Sequence, residues 1–205
     1  MNKGLFITFE GGEGAGKTSV IAALTQSLKA KGISVHVTRE PGGCELGESI
    51  RKLLLDSEKL CSEAELLLFL ANRSQHLQEV ILPKVAEGTV VLCDRFTDST
   101  KAYQGAARQQ DMQILDTLCN YATSGKEPDL TFLIDVPVDV GMERVVANRD
   151  GKDRIERESL EFHNRVRDAY LALAKDNPNR IHVIDGTLSK ELVAQEVEKV
   201  VAIHV

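Results

Sequence analysis

The stretch of this chain with the clearest capacity for chemistry is residues 11–19, GGEGAGKTS. Its glycines lack a Cβ, so the backbone can adopt positive φ and direct successive N–H groups at phosphate oxygens. Lys17 adds a positive charge for the β and γ phosphates of a nucleotide, and the hydroxyl of Thr18 can hold the Mg²⁺ that bridges them. The pattern predicts a loop that binds a nucleoside triphosphate. Its members are Gly11, Gly12, Glu13, Gly14, Ala15, Gly16, Lys17, Thr18 and Ser19.

The residues around the loop supply the strand and the helix that such a loop requires. An apolar, β-branched run at 5–9 precedes it, and apolar residues recur at helical spacing from Val20 to Leu28. The helix, which begins near Lys17, would point its positive end at the phosphates. A glycine-rich turn before an unrelated helix is the alternative interpretation, and this context disfavours it.

Five short apolar runs predict the strands of one sheet. Several are apolar on both faces, as buried parallel strands are, and helical segments separate them. The runs are 5–9, 33–38, 89–93, 130–136 and 181–184. We therefore expect an α/β fold in three layers, with a five-stranded parallel sheet, helices on both faces and a single domain over residues 1–205. Such sheets place their sites beyond the carboxyl ends of the strands.

Local signals also predict several helices. Ser62 and Glu65 fit a capping box that would open a helix carrying Phe69 and Arg73 on one face, and Pro83 should kink or end it. Further helices are expected over 97–123, 138–147, roughly 156–176 and 189–202.

The composition restricts the class of protein. A net charge of −6 over 205 residues argues against a nucleic acid polymer as partner. The four cysteines lie far apart without a Cys-x-x-Cys pair, so we expect neither a zinc site nor a disulfide framework. Reduced thiols in the cytoplasm are expected instead. The first strand begins too early to leave room for a signal peptide, and no apolar run is long enough to cross a membrane.

Arginines are concentrated in the segments expected near the strand ends and in one polar segment. Residues 148–154 contain no apolar side chain, and we interpret them as part of a short flexible lid over about 144–157. Guanidinium groups bind phosphate oxygens bidentately, and more of them are present than one triphosphate needs. This surplus predicts a second phosphorylated ligand. The arginines are Arg39, Arg73, Arg95, Arg144, Arg149 and Arg154.

Taken together, the motifs along the chain resemble the thymidylate kinase family. They are FEGGEGAGKT at 9–18, TREPGG at 38–43, DRF at 94–96 with STKAYQG at 99–105, PDL at 128–130 and DRIE at 153–156. The resemblance covers nearly the whole chain in the right order. It implies a P-loop nucleoside-monophosphate-kinase fold, usually a homodimer, in which ATP with Mg²⁺ phosphorylates dTMP to dTDP.

The resemblance also implies roles for the residues that would bind dTMP. Phe69 would stack on the thymine ring, although an isolated aromatic residue is more often core. Arg73 would hydrogen-bond the thymine edge, and Arg39 and Arg95 would clamp the phosphate. Tyr103 would pack against C2′ of the sugar and leave no room for a hydroxyl group. Further base contacts are implied for Ser99, Thr100 and Gln104.

Other implied roles concern the donor and the transfer itself. Glu13 would also bind the substrate, near the 3′-hydroxyl of the dTMP sugar, and Asp94 and Glu40 would join Thr18 in the magnesium and water network. The loop carries Ala15 and no arginine, so the resemblance is to the bacterial type with its catalytic arginine on the lid, here Arg149 or Arg154. Catalytic roles are thus implied for Lys17, Arg95, Arg149, Arg154 and Glu13, and contacts to the donor nucleotide for Arg144 and Gly186.

Two other functions remain open from the residues alone. Another nucleoside or nucleoside-monophosphate kinase would use the same loop, but paired Arg39 and Arg95 favour an acceptor that already carries a phosphate. A nucleotide-dependent switch protein is disfavoured because the chain has no Asn-Lys-x-Asp motif for guanine.

Overall fold

The computed structural model of the protein describes residues 4–148 and 154–205. Within them, five parallel strands form one sheet in the order β2-β3-β1-β4-β5. The strands are β1 (Leu5–Glu10), β2 (Val35–Arg39), β3 (Val90–Asp94), β4 (Leu130–Asp135) and β5 (Ile181–Asp185). The predicted α/β fold is confirmed, and each strand lies within two residues of its predicted bounds. Since all strands are parallel, their carboxyl ends meet at one edge of the sheet.

Nine α-helices are present in the described ranges, with two π-helical turns at Leu77–Ile81 and Lys101–Ala107. The first six helices are α1 (Lys17–Ala30), α2 (Glu45–Asp56), α3 (Ser62–His76), α4 (Leu82–Ala86), α5 (Thr97–Thr100) and α6 (Met112–Thr123). The last three are α7 (Val138–Asn148), α8 (Leu160–Asp176) and α9 (Lys190–Val201).

Side chains alternate across the sheet, so the core has two sides. Ile7 and Phe9 of β1 point to one side, where α1 and α9 pack through Leu24 and Val197. Phe6 points to the opposite side, which is covered by the π turn after α3 and by α4, with α8 and the second π turn further along. Helices therefore cover both faces, as predicted.

One helix was not predicted, and two local predictions were wrong. Helix α2 was not predicted; it begins after Cys44, whose Sγ accepts a hydrogen bond from the N–H of Gly47. Ser62 does not cap α3, because it is the first residue of the helix and Cys61 occupies the capping position. In the described structure the side chain of Cys61 makes no capping hydrogen bond. The expected helix over 97–123 is broken after Ala107, and α6 begins anew with Asp111 as its cap.

Pro83 lies where the chain was expected to kink. The α-helical hydrogen bonding ends at His76, and the π turn Leu77–Ile81 carries the chain into α4. Proline cannot donate a backbone hydrogen bond, and a π turn changes the partners along the ladder just before it. None of the described helices is both long and apolar enough to cross a lipid bilayer.

Candidate active site

The glycine-rich loop joins the end of β1 to the start of α1. Gly16 occupies the capping position of α1 with φ 94°, and Gly11 and Gly14 also have positive φ. A Cβ at Gly14 would collide with the carbonyl oxygen of Gly141 at the start of α7. Glycine is therefore required both by the backbone turn and by the close approach of another helix.

Lys17 lies inside the loop. Its Nζ donates to the carbonyl oxygens of Gly11 and Gly12 over 3.2 and 3.4 Å and lies 3.9 Å from Oδ1 of Asp94. Burial and the nearby Arg95 lower the pKa of Lys17, and the carboxylates of Asp94 and Glu13 offset part of that effect. An anionic ligand at this position would be drawn to the ammonium group.

A cleft of about 1330 Å³ opens beside the loop. Pockets for single drug-sized ligands have volumes of roughly 300–1,000 Å³, so this cleft has room for more than one nucleotide. Most of the predicted site residues line it. They are Glu13, Gly14, Ala15, Gly16, Lys17, Thr18, Ser19, Arg39, Glu40, Phe69, Arg73, Asp94, Arg95, Ser99, Thr100, Tyr103, Gln104, Arg144 and Gly186.

Arg95 connects the end of β3 to the glycine loop. Its Nη1 donates to the carbonyl oxygen of Gly11 over 3.0 Å, its Nη2 donates to Oε1 of Glu13 over 2.7 Å, and its guanidinium carbon lies 4.9 Å from the centre of the Tyr103 ring. Burial raises the pKa of Glu13, but the charges of Arg95 and Lys17 outweigh it and hold that pKa at about 2. The non-glycine φ of 71° at Arg95 marks a backbone constrained to place this side chain.

Arg39 lies at the end of the neighbouring strand, β2. It is paired in register with Asp94, the residue before Arg95, so the two arginines come from adjacent strand ends. Its Nη2 donates to both oxygens of Glu48, and its side chain is half exposed at 52%. The guanidinium can therefore turn toward a ligand at little cost in desolvation.

Arg73 is fixed deep in the cleft. It donates to Oε2 of Glu40 over 2.8 Å, to Oγ1 of Thr100 over 2.7 Å and to the carbonyl oxygen of Phe96 over 2.9 Å. A guanidinium has more N–H donors than these bonds use, which leaves donors for a ligand. Both oxygens of Glu40 are engaged, one by Arg73 and the other by Nδ1 of His76.

The predicted base-binding residues lie on the same side of the cleft as Arg73. Phe69 is half-buried and lines the cleft, as a stacking residue would. Ser99 donates to Glu10, and the side-chain nitrogen of Gln104 donates to Oε1 of Glu65 over 2.7 Å. These polar side chains therefore have fixed orientations before any ligand binds.

The arginines of the predicted lid have different positions. Nη1 of Arg154 lies 2.6 Å from Oε2 of Glu65, and its Nε donates to the carbonyl oxygen of Leu54 at the end of α2. Arg154 does not belong to the described residues that line the cleft. The predicted Arg149 lies outside the described residues. Arg144 donates to the carbonyl oxygen of Gly186 over 3.1 Å, which brings the two predicted donor-side residues together.

Sequence reasoning missed a buried carboxylate beneath Arg95. Glu10, the last residue of β1, accepts hydrogen bonds from the backbone N–H of Phe96, from Ser99 and from Tyr170. Burial and the nearby Asp98 raise the pKa of Glu10 to about 7, against the lowering effect of Ser99, Arg95 and Tyr170. A glutamate that directly follows an apolar strand was the available signal.

Two residues could hold a magnesium ion. Oδ1 of Asp94 is buried without a hydrogen-bond partner, and Thr18 is exposed at the start of α1. No group of three or more acidic, histidine or cysteine side chains arranged for a metal occurs in residues 4–148 and 154–205. The pair of Thr18 and Asp94 fits magnesium, which binds through one or two protein oxygens together with substrate phosphates and water.

The parallel sheet, the glycine loop and the arginine-rich cleft define the class of P-loop nucleoside-monophosphate kinases. The family model described as thymidylate kinase matches residues 9–197. The chain belongs to the thymidylate kinase family, and its reaction is the phosphorylation of dTMP to dTDP with ATP as donor, a step in dTTP synthesis.

Individual relatives match along their full length. Thymidylate kinase of Trichlorobacter lovleyi is 47% identical, with 96% of each chain covered, and that of Methylococcus capsulatus is 46% identical, with 100% of each covered. The crystal structure of thymidylate kinase from Ehrlichia chaffeensis matches with a TM-score of 0.80 and 38% identity, over 97% of this chain and 98% of that one.

Proposed function

We propose that the chain transfers the γ-phosphoryl group of ATP directly to a phosphate oxygen of dTMP, in line and without a covalent enzyme intermediate. The observation that carries this proposal is the bonding of Arg95 to both Gly11 and Glu13, because the guanidinium that we assign to the acceptor phosphate then lies against the donor loop. A phosphate monoester is already an anionic nucleophile, so no general base is required. Positioning and charge stabilisation supply the catalysis.

The donor end of the cleft is the glycine loop. Its backbone N–H groups and Lys17 bind the ATP phosphates, while Arg144 and Gly186 border the adenine. Thr18 and Asp94 would hold Mg²⁺, which neutralises charge on the phosphate oxygens when bound. Glu40 is committed to Arg73 and His76, which favours a role in holding Arg73 over direct contact with the metal.

The acceptor end lies between α3, the strand ends and the second π turn. Arg39 and Arg95 grip the dTMP phosphate, and Arg73 donates to the thymine edge while Phe69 stacks on the ring. Tyr103, whose hydroxyl donates to Glu13 over 2.7 Å, packs against the sugar. The remaining polar contacts to the base come from Ser99, Thr100 and Gln104.

The finer organisation of the protein is also part of this proposal. The chain acts as a single domain with a lid over about 144–157, from which Arg149 or Arg154 supplies positive charge to the transferred phosphoryl group.

The compartment and the assembly of the protein belong to the proposal as well. The four cysteines are free thiols, which supports a reducing compartment, the cytoplasm. Exposed apolar residues on α3 and α6, Leu67 at 57% and Ile114 at 58%, support a homodimer through these helices.

Product analysis with a panel of nucleotides tests the proposal. The protein is incubated with ATP and Mg²⁺ and with each of dTMP, dUMP, dCMP, dAMP, dGMP or thymidine, and the products are separated by ion-exchange chromatography. We expect dTDP as the main product and no phosphorylation of thymidine, since Arg39 and Arg95 need a phosphate to grip. Preferred phosphorylation of thymidine or of a purine nucleotide would contradict the proposal.

A further inference from the structure

The carboxylate of Glu65 is the centre of a buried polar cluster behind the base-binding side of the cleft. The residue is 1% exposed, and its side chain receives donors from three directions: Gln104, Arg108 and Arg154. Burial raises the pKa of Glu65, but Gln104, Arg108 and Arg154 together lower it below its usual value. At neutral pH Glu65 is therefore ionised and can only accept hydrogen bonds.

This charge state fixes the orientation of a neighbouring amide. The Oε1 atom of Glu65 lies 2.7 Å from the amide nitrogen of Gln104. An ionised carboxylate cannot donate to an amide oxygen, so the nitrogen branch of Gln104 must face Glu65. The two branches of an amide diverge, so the oxygen branch points away from Glu65. Gln104 lines the cleft, although only 2% of it is exposed, and its oxygen is the branch left to accept a hydrogen bond from a base bound there.

An acceptor at this position has a consequence for base choice. Thymine and uracil present an N3–H donor beside the O4 acceptor, whereas cytosine presents an N3 acceptor beside an amino donor. Arg73 offers donors only, and a fixed Gln104 oxygen offers an acceptor only. The pair is complementary to thymine or uracil and mismatched with cytosine at both positions.

We propose that Glu65 is a positioning residue for nucleobase choice, which holds the Gln104 amide in the orientation that accepts thymine or uracil and rejects cytosine. The inference rests on the proposed function, because it takes Gln104 as a base contact. Glu65 itself does not touch the substrate. It acts through Gln104, and its own position is held by Arg108 and by Arg154 from the lid.

The cluster also connects the lid to the base site. Arg154 contributes one of the charges that keep Glu65 ionised, and its Nε is anchored on the carbonyl oxygen of Leu54. Arg108 is held from its other side by Glu158, at 2.7 Å, in the segment that follows the lid. The carboxylate of Glu65 therefore both binds Arg154 of the lid and orients the amide of Gln104.

Substitution of Glu65 by glutamine provides the main test. A neutral amide at position 65 can accept or donate, so Gln104 gains freedom to flip. For Glu65→Gln we expect the ratio of kcat/KM for dTMP to that for dCMP to fall by on the order of tenfold. A change of this size is what the loss of one hydrogen bond to the base would cause. Equal losses on both substrates, with an unchanged ratio, would mean that Glu65 only supports the fold and would overturn the proposal.

Two variants complete the comparison. Glu158→Gln makes the same chemical change on the other partner of Arg108, and we expect its dTMP:dCMP ratio to stay within about twofold of the parent. Should Glu65→Gln fail to fold in a thermal melt, Glu65→Asp keeps the charge for both arginines and withdraws the carboxylate from Gln104 by one methylene. It should also lower the ratio, and an unchanged ratio in folded Glu65→Asp would equally refute the proposal.

A double variant separates this proposal from the proposed function. Gln104→Ala alone should lower the ratio, and adding Glu65→Gln should then change it no further, because no amide remains to be oriented. If Gln104→Ala leaves the ratio unchanged, the assigned base contact itself is wrong. If Gln104→Ala lowers the ratio but Glu65→Gln does not, only the role of Glu65 is wrong.

Discussion

Arg95 and Glu13 form an ion pair of 2.7 Å between the end of β3 and the glycine loop. The pair joins a residue assigned to the acceptor phosphate to a residue of the donor loop. Tyr103 donates to the same Glu13 oxygen, so three side chains from three segments meet at one carboxylate. The distance between the two ends of the cleft is therefore set before either nucleotide binds.

The lowered pKa of Glu13 predicts a loss of stability in acid. Its folded-state pKa of about 2 lies below the ordinary 4.5, so its stabilising effect is present above pH 4.5 and is lost as the pH falls toward 2. Between about pH 6 and about pH 3, the parent should lose about 2 kcal/mol of unfolding free energy more than Glu13→Gln. Urea unfolding at each pH measures this difference.

A matched control for this experiment is Glu161→Gln. Glu161 is 82% exposed on α8 and pairs with Arg165 one turn away. Exposed pairs contribute little, so this variant should lose stability in acid in parallel with the parent. If Glu13→Gln also runs parallel to the parent, Glu13 is not held ionised by Arg95.

The packing of Tyr103 predicts the choice between deoxyribose and ribose. Its ring lies between Arg95, Phe162 and Tyr170, and it is 5% exposed at the cleft. Tyr103→Ala should raise activity on ribothymidine monophosphate relative to dTMP by on the order of tenfold, because it opens space beside C2′. Steady-state kinetics with both substrates measure the ratio.

Tyr103→Phe is the control for that variant. It keeps the ring and removes only the hydroxyl that donates to Glu13, so the preference for deoxyribose should persist. Thermal melts of both variants are needed, since truncating a buried aromatic residue costs about 3–5 kcal/mol. Unchanged discrimination in a folded Tyr103→Ala would show that the ring does not exclude the 2′-hydroxyl.

The strands and the glycine loop could be predicted from sequence because their signals are local. Buried parallel strands are apolar runs, and the loop is a fixed spacing of glycines before a lysine. The rule that sites lie beyond strand ends then located Arg39 and Arg95 beside the loop without any knowledge of packing. In each of these cases a few adjacent residues contain the information.

What was missed depends on contacts between distant segments. Glu65 looks like a helix-capping residue in sequence, yet its partners Gln104 and Arg154 are 39 and 89 positions away along the chain. Likewise, nothing near Glu10 in sequence indicates that Tyr170 bonds to it. Helix α2 was missed for a different reason, because a cysteine caps it in place of the usual hydroxyl or carboxylate.

Exposed apolar residues on two adjacent helices predict a dimer. Leu67 on α3 and Ile114 on α6 are each more than half exposed, although α3 and α6 pack against each other. Leu67→Asp should convert a dimer to a monomer in sedimentation velocity, because a charge there would be buried without a partner. Leu192→Asp on α9, where the leucine is 48% exposed, should leave the assembly unchanged. A parent that sediments as a monomer at micromolar concentration contradicts the dimer.

The docking of Arg154 on Glu65 leads to the prediction that the two lid arginines affect different kinetic constants. An arginine that contacts the transferred phosphoryl group contributes on the order of 10³-fold to kcat. Arg154 is bonded behind the base site in this structure, so Arg154→Ala should mainly raise KM for dTMP, whereas Arg149→Ala should lower kcat by that larger factor.

Steady-state kinetics at saturating ATP, with dTMP varied, separate the two effects, and Lys175→Ala, at an exposed position of α8, serves as the control. A fall in kcat of on the order of 10³-fold for Arg154→Ala would mean that this arginine leaves Glu65 and reaches the phosphates during turnover. Losses below about tenfold in kcat at both positions would mean that neither lid arginine stabilises the transferred group. In that case the charge in the transition state would have to come from Lys17 and Arg95, which already meet at the glycine loop.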